Sequence, residues 1–192
     1  MPDAVVGDIN AALYGGLPYI PPHWCRPTGA VRQSIDRAGA HANLTAALST
    51  GRLYMQGVYY ARGEVVTSIT FVSATTQLGT GANQWAALFS SARVQLAISA
   101  DDTSTAWAAN TAKTFTMTTP YVIPVAGIYY HGLNVTATTV PTLAGQSTLA
   151  GIQGIAPILS GYADTGLTNP ASCPATAAAI TSLNVTAYTY SS

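Results

Sequence analysis

Apolar and polar residues alternate with a period of two along much of the chain from residue 52 onward, the spacing of strands whose successive side chains face opposite sides of a sheet. The stretches "RLYMQGVYY" (52–60), "EVVTSITFVSA" (64–74), "QWAALFS" (84–90), "ARVQLAIS" (92–99), "KTFTMTT" (113–119), "GIYYHGLNVTAT" (127–138) and "AITSLNVTAYTY" (179–190) are rich in Val, Ile, Thr, Tyr and Phe. Such side chains suit a pleated, half-buried surface. Turn formers separate them in "ARG", "GTGAN", "SADDTS" and "TPYVIPVAG", as expected between short antiparallel strands. The clearest alternations put Val65, Ile69 and Phe71 on one face, then Trp85, Ala87 and Phe89, then Val94, Leu96 and Ile98. The pattern predicts an all-β fold, an antiparallel β-sandwich of jelly-roll type, over residues 43–192.

The segment "LNVTA" occurs at Leu133 to Ala137 and again at Leu183 to Ala187. In both copies Leu, Val and Ala share one face while Asn and Thr share the other, the pattern of a half-buried antiparallel strand. Their flanks differ, which argues against a repeat and for two strands in similar environments. Both copies, and "NLT" at Asn43 to Thr45, match the N-glycosylation sequon. The N-terminus "MPDAVVGDIN" lacks the basic and apolar regions of a secretory signal, so glycosylation is not expected.

Two regions break the alternation. Residues 1–42 contain "GGLPYIPPHWCRP", whose prolines fix φ and remove backbone donors. They are expected to form an extended arm. Residues 141–178 are rich in Gly, Ala and Pro and nearly free of charge. A loop of that length is rare inside a compact domain unless it is functional or packed by a neighbour. Its "LAGIQGIAPIL" segment is costly to leave in water, which places it over the sandwich or in a subunit interface.

Composition narrows the function. Only 7% of residues are charged, seven basic and seven acidic, against 48% hydrophobic. A surface so poor in charge is unusual for a free monomer, and other subunits are expected to cover much of it. Phosphate binding needs a basic stripe that seven scattered cations do not supply, so nucleic acid is not expected as a partner. No apolar run approaches the ~20 residues of a membrane span, and a soluble protein made in the cytoplasm is expected. Cys25 and Cys173 sit far apart in Pro-rich contexts, and without a secretory route they read as free thiols.

Little in the chain carries reaction chemistry. His23, His41 and His131 are isolated, and no strained nucleophile elbow accompanies them. His131 shares strand parity with Leu133 and Val135, as a satisfied or interfacial histidine would. Asp101 and Asp102 are adjacent, yet calcium needs a larger oxygen set, and a hairpin turn uses the same residues. Glycosidase chemistry requires a paired acid and nucleophile, and nothing in the sequence pairs Glu64, Asp101, Asp102 or Asp164. No catalytic residue, metal site or cofactor is expected. Tyr54, Tyr59, Tyr60, Tyr121, Tyr129, Tyr130, Tyr162, Tyr188 and Tyr190, with Trp24, Trp85 and Trp107, suit interfaces or carbohydrate stacking. An ordinary β-core explains them equally well.

The segments "LTAALSTGRLYMQGVYYARGEVVTSITFVSATT", "QWAALFSSARVQLAIS" and "TAKTFTMTTPYVIPVAGIYYHGLNVTATTVPTLAG", with the later "SGYADTGLTNPASCPATAAAITS", resemble the β-rich C-terminal domain of minor tail and fibre-like virion proteins of phages that infect actinobacteria. "TFTMTTPYVIPVAGIYYHGLNV" is also similar to a strand pair of trimeric C1q and TNF-like jelly rolls. The resemblance implies a non-enzymatic virion protein, a homotrimer held to other virion proteins by the arm and facing a host-surface glycan or protein. Tyr19, Trp24 and Arg26 are the candidate docking residues of the arm, from composition. A tail-tip location is the first expectation and a head decoration protein the alternative. A cell-wall carbohydrate-active enzyme is the remote one.

Overall fold

Side chains that alternate in the sequence alternate between two environments in the computed structural model, which describes residues 27–103 and 105–192. Thirteen strands occur among these residues: β1 Arg32–Gln33, β2 Ala42–Leu44, β3 Tyr54–Tyr60, β4 Val65–Val72, β5 Gly81–Phe89, β6 Gln95–Ile98, β7 Ala112–Val122, β8 Gly127–Ala137, β9 Leu143–Ser147, β10 Ser160–Tyr162, β11 Thr181–Ser182, β12 Val185–Ala187 and β13 Thr189–Ser191. One short helix, α1, spans Ala150–Gln153. The sheets run β1-β13-β4-β7, β11-β10-β3-β8-β5-β6 and β12-β9-β2.

The three-stranded sheet extends the four-stranded one. Only Tyr188 separates β12 from β13, and Ser73, just past β4, bridges to Leu143 at the start of β9. Two antiparallel walls therefore face each other. With β1, β3, β4, β5, β6, β7, β8 and β13 taken as strands 1 to 8, the walls read 1-8-3-6 and 2-7-4-5. That interleaving is the jelly-roll order, in which most connections cross from one wall to the other.

Between the walls lies the main core. Tyr54, Val58, Tyr60, Leu88, Leu133 and Val135 come from the six-stranded wall, and Val66, Ile69, Phe71, Phe115 and Met117 from the other. Truncating one such side chain to Ala costs about 2–5 kcal/mol. The parity expected for β4 fails at its start, where Val65 is exposed and Val66 is buried. Thr67 N and Ser68 N both donate to the Ser192 carbonyl, so β4 carries one extra residue that flips its alternation, and the ladder to β7 skips there from Val66–Tyr121 to Ser68–Thr116. The same irregularity accommodates Pro120 inside β7, because the ladder there asks for no donor. A second register shift, between Leu88 and Phe89, sends Leu96 toward the main core and Ile98 toward the opposite face.

That opposite face of the six-stranded wall is covered as well. Leu53, Met55, Trp85, Ala87, Phe89 and Tyr130 pack under a strap that contributes Ala163, Leu167, Cys173, Ala177 and Ile180. Strap backbone accepts from Trp85 Nε1 at Thr168 (2.7 Å) and from the Tyr130 hydroxyl at Ile158 (3.0 Å). Most of the stretch read as a long loop over 141–178 is thus a third layer, interrupted by β9, α1 and β10. Its covering role explains why the two "LNVTA" copies differ. Asn134 is fully buried beneath the strap, while Asn184 is exposed beside an edge strand. The described part of the expected arm also joins the sheets, since β1 pairs with β13 and β2 with β9.

Candidate functional site

The ionisable groups were the first candidates for chemistry, and in the fold they brace loops. Asp101 accepts from the Asn83 amide and from Gln84 N (2.9 Å). Asp102 pairs with Lys113 Nζ at 2.9 Å and accepts from Thr105 N. The two carboxylates thereby fasten the segment after β6 to β5 and β7, and neither is paired as acid and nucleophile. Arg32 and Glu64 meet at 2.9 Å and hold β1 against the β3–β4 turn. Arg52 stacks on Tyr162 at 4.0 Å. Among the described residues no group of three or more His, Cys, Asp and Glu is placed to hold a metal.

His131 lies in the main core with no exposed surface. Its Nδ1 is 3.0 Å from Thr189 Oγ1, and its Nε2 is 2.6 Å from the Tyr60 hydroxyl. Thr189 gives its one hydroxyl proton to the Thr70 carbonyl at 2.7 Å, so it accepts from Nδ1–H, and Nε2 accepts from Tyr60. The ring is therefore neutral, and burial pushes its pKa down to about 3. Cys173 is a free thiol, pushed up to about 12 by burial and then by the Asp164 carboxylate.

The aromatic residues turn out to be mostly core. Tyr54, Tyr60, Tyr129, Tyr130, Tyr188, Trp85 and Trp107 are buried, and Tyr59 is the exposed exception. Tyr19, Trp24 and Arg26, with His23 and Cys25, lie outside the described residues.

The surface is unusual in the β9–β10 connection. Leu149, Ile152, Ile155 and Leu159 are 73%, 60%, 66% and 43% exposed, while Gln153 is buried at 8%. This is the reverse of the ordinary partition. Its cause is hydrogen bonding: Gln153 Nε2 donates to Thr148 Oγ1 (2.8 Å) and Thr186 Oγ1 (3.1 Å). Further along, Gly57 N donates to the Leu159 carbonyl at 2.6 Å. With the polar side chain and the backbone pinned inward, the apolar side chains face out. A second exposed apolar group, Tyr59, Val65, Val122 and Val125, occupies the end of the sandwich where β3 and β7 finish. The fifty residues from 114 to 163 contain no Asp, Glu, Lys or Arg.

An open groove of about 290 Å³ runs between β2 and the segment after β4, with His41, Asn43, Ser73, Thr75 and Asn110 among its walls. His41, Asn43, Thr75 and Asn110 can exchange hydrogen bonds with sugar hydroxyls or a peptide backbone, while the Ser73 hydroxyl is buried and bonded within the fold. The sequence pointed to the apolar segment but could not show which of its side chains face outward. Nor did it reveal the groove, which joins residues far apart in the chain. Comparison with protein-family models, with curated proteins and with solved structures finds no match to this chain.

Proposed function

We propose that this chain is a non-enzymatic structural protein of a bacteriophage particle, a minor tail or tail-tip module that attaches to the host surface as a homotrimer. Attachment of this kind multiplies weak sites held on one particle into a strong contact. The observation that carries the reading is the outward-facing apolar segment on a jelly-roll frame. A built surface of that kind serves assembly, and the contacting carboxylates of the frame are engaged in bracing. The groove at His41 and Asn43 offers the polar contacts that a surface glycan or protein loop would use. The part of the arm before residue 27 would fasten the module to the particle, with Tyr19, Trp24 and Arg26 as its docking side chains.

The same apolar segment also favours a head decoration protein, because clamping a shell requires buried area and no chemistry. Immunogold electron microscopy of intact particles with an antibody to residues 43–192 separates the two. Gold confined to the tail tip is the expected result. Gold scattered over the head would make the chain a decoration protein, and particles without gold would remove the virion reading.

A further inference from the structure

We propose that the groove at His41 and Asn43 is a binding site for a neutral saccharide. The inference deepens the reading above and rests on its claim of a host-surface contact, but not on where in a particle the chain sits.

Residues 40–43, residues 72–75, Asn110 and Ala144 build the groove from four separate segments. Asn43 pairs with Ala144 across β2 and β9, so their side chains share a face, and the small Ala144 leaves the floor open beside the amide. His41 Nδ1 is 2.9 Å from the Gly39 carbonyl. A carbonyl only accepts, so Nδ1 donates to it and Nε2 is left for a ligand. Asn110 has a φ of 56°, a left-handed conformation that Asn tolerates better than most side chains, and its N donates to the Ala74 carbonyl at 2.8 Å. The side chains of Asn43, Thr75 and Asn110 bond no other described residue. Their backbones are thus fixed while their polar groups stay open, which leaves little ordering to be done on binding.

Three features of the walls select the ligand. They hold no Asp, Glu, Lys or Arg, so an acidic or basic group would meet no counter-charge. The methyls of Ala40, Ala42 and Ala144 lie among the amides and the Thr75 hydroxyl. A sugar ring has the same division, with an apolar C–H face and a rim of hydroxyls, and a side-chain amide both donates to such hydroxyls and accepts from them. At about 290 Å³ the groove is at the small end of ligand sites, which suits the end unit of a glycan. The third feature disfavours a peptide. Ser73 N, Ala74 N and Asn110 N already donate within the fold, to the carbonyls of Thr111, Thr142 and Ala74, so that wall offers an extended peptide no row of free backbone donors to pair with.

Saturation-transfer NMR on the full chain tests this with neutral di- and trisaccharides of glucose, galactose and mannose, against acidic polygalacturonate fragments and an extended Thr/Val peptide. The wild type is expected to bind at least one neutral sugar with a dissociation constant of about a millimolar, weak enough to need the multiplication that many copies supply. Asn43→Ala/Asn110→Gly removes both amides while Gly keeps the positive φ, and should weaken that binding about tenfold or more. Ala144→Leu fills the floor without touching a polar group and should have the same effect. Asn184→Ala, at an exposed Asn outside the groove, should change nothing, and circular dichroism checks that each variant folds. Binding of none of the neutral sugars, a preference for the acidic fragments or the peptide, or groove variants that bind as the wild type does would overturn the proposal. In each of these cases immunogold labelling could still locate the protein on the particle, so the two readings fail separately.

Discussion

The proton on His131 links the core to pH. The unfolded chain takes up a proton near the ordinary histidine value of 6.5, whereas the folded chain refuses it until about 3. Stability from this residue is therefore complete above pH 6.5 and is lost as pH falls toward 3, with a slope of at most about 1.4 kcal/mol per pH unit. Replacing the ring by His131→Leu leaves the Tyr60 hydroxyl and Thr189 Oγ1 short of a partner, which should cost about 1–3 kcal/mol at pH 7.5. The variant should also lose much of the steepness between pH 6 and pH 4. Urea midpoints measured across that range for both proteins decide it, and parallel curves would assign the acid sensitivity to other groups. The burial of this histidine was legible from its parity with Leu133 and Val135. Its partners were not, because Tyr60 and Thr189 lie 71 and 58 positions away in the chain.

Among the elements, those with sustained alternation were readable. β7 emerges where its pattern places it, with Lys113, Phe115 and Met117 buried and the residues between them exposed, because burial on one face imposes a strict period. β3, β5 and β8, buried on both faces, emerge close to their expected stretches as runs bounded by turn formers. β1, β2, β9, β10 and β11 have two to five residues each, too few for a period to show. Glycine marks two of these hidden strands, Gly145 in β9 and Gly161 in β10. A Cβ on Gly161 would collide with the Thr181 carbonyl and the Ile180 side chain, whereas one on Gly127 would meet nothing within 4 Å. Gly161→Val should thus push β11 and the strap off the sheet, at a cost of about 2–4 kcal/mol. Gly127→Ala should stay within about 0.5 kcal/mol of the parent. Melting curves give the energies. Loosening of the strap should also wet the indole of Trp85, and an unshifted emission maximum in Gly161→Val would show the cover still in place.

At the scale of the molecule, the low charge content is plain in the sequence. The outward turn of the apolar side chains in the β9–β10 connection could not be read, because Thr186, which holds Gln153 inward, comes from another strand 33 residues on. If copies associate as the proposed homotrimer, unfolding is coupled to dissociation, and the melting temperature should rise with protein concentration. Calorimetry over about a hundredfold range of concentration measures this. A melting temperature that stays constant over that range would count against the homotrimer. Another consequence follows from the place of β13 between β1 and β4, with Thr67 N and Ser68 N donating to the Ser192 carbonyl at 2.6 and 2.9 Å. A ribosome adding about 5–20 residues per second delivers β3, β5, β6 and β8 many seconds before the strand that fills the middle of the opposite wall. During that interval the opposite wall consists of the β4–β7 pair alone, and β1 lacks the strand it pairs with. Escorting factors in the translating cell then matter most for this protein, and a message cut short before residue 185 yields a chain that aggregates rather than a smaller module.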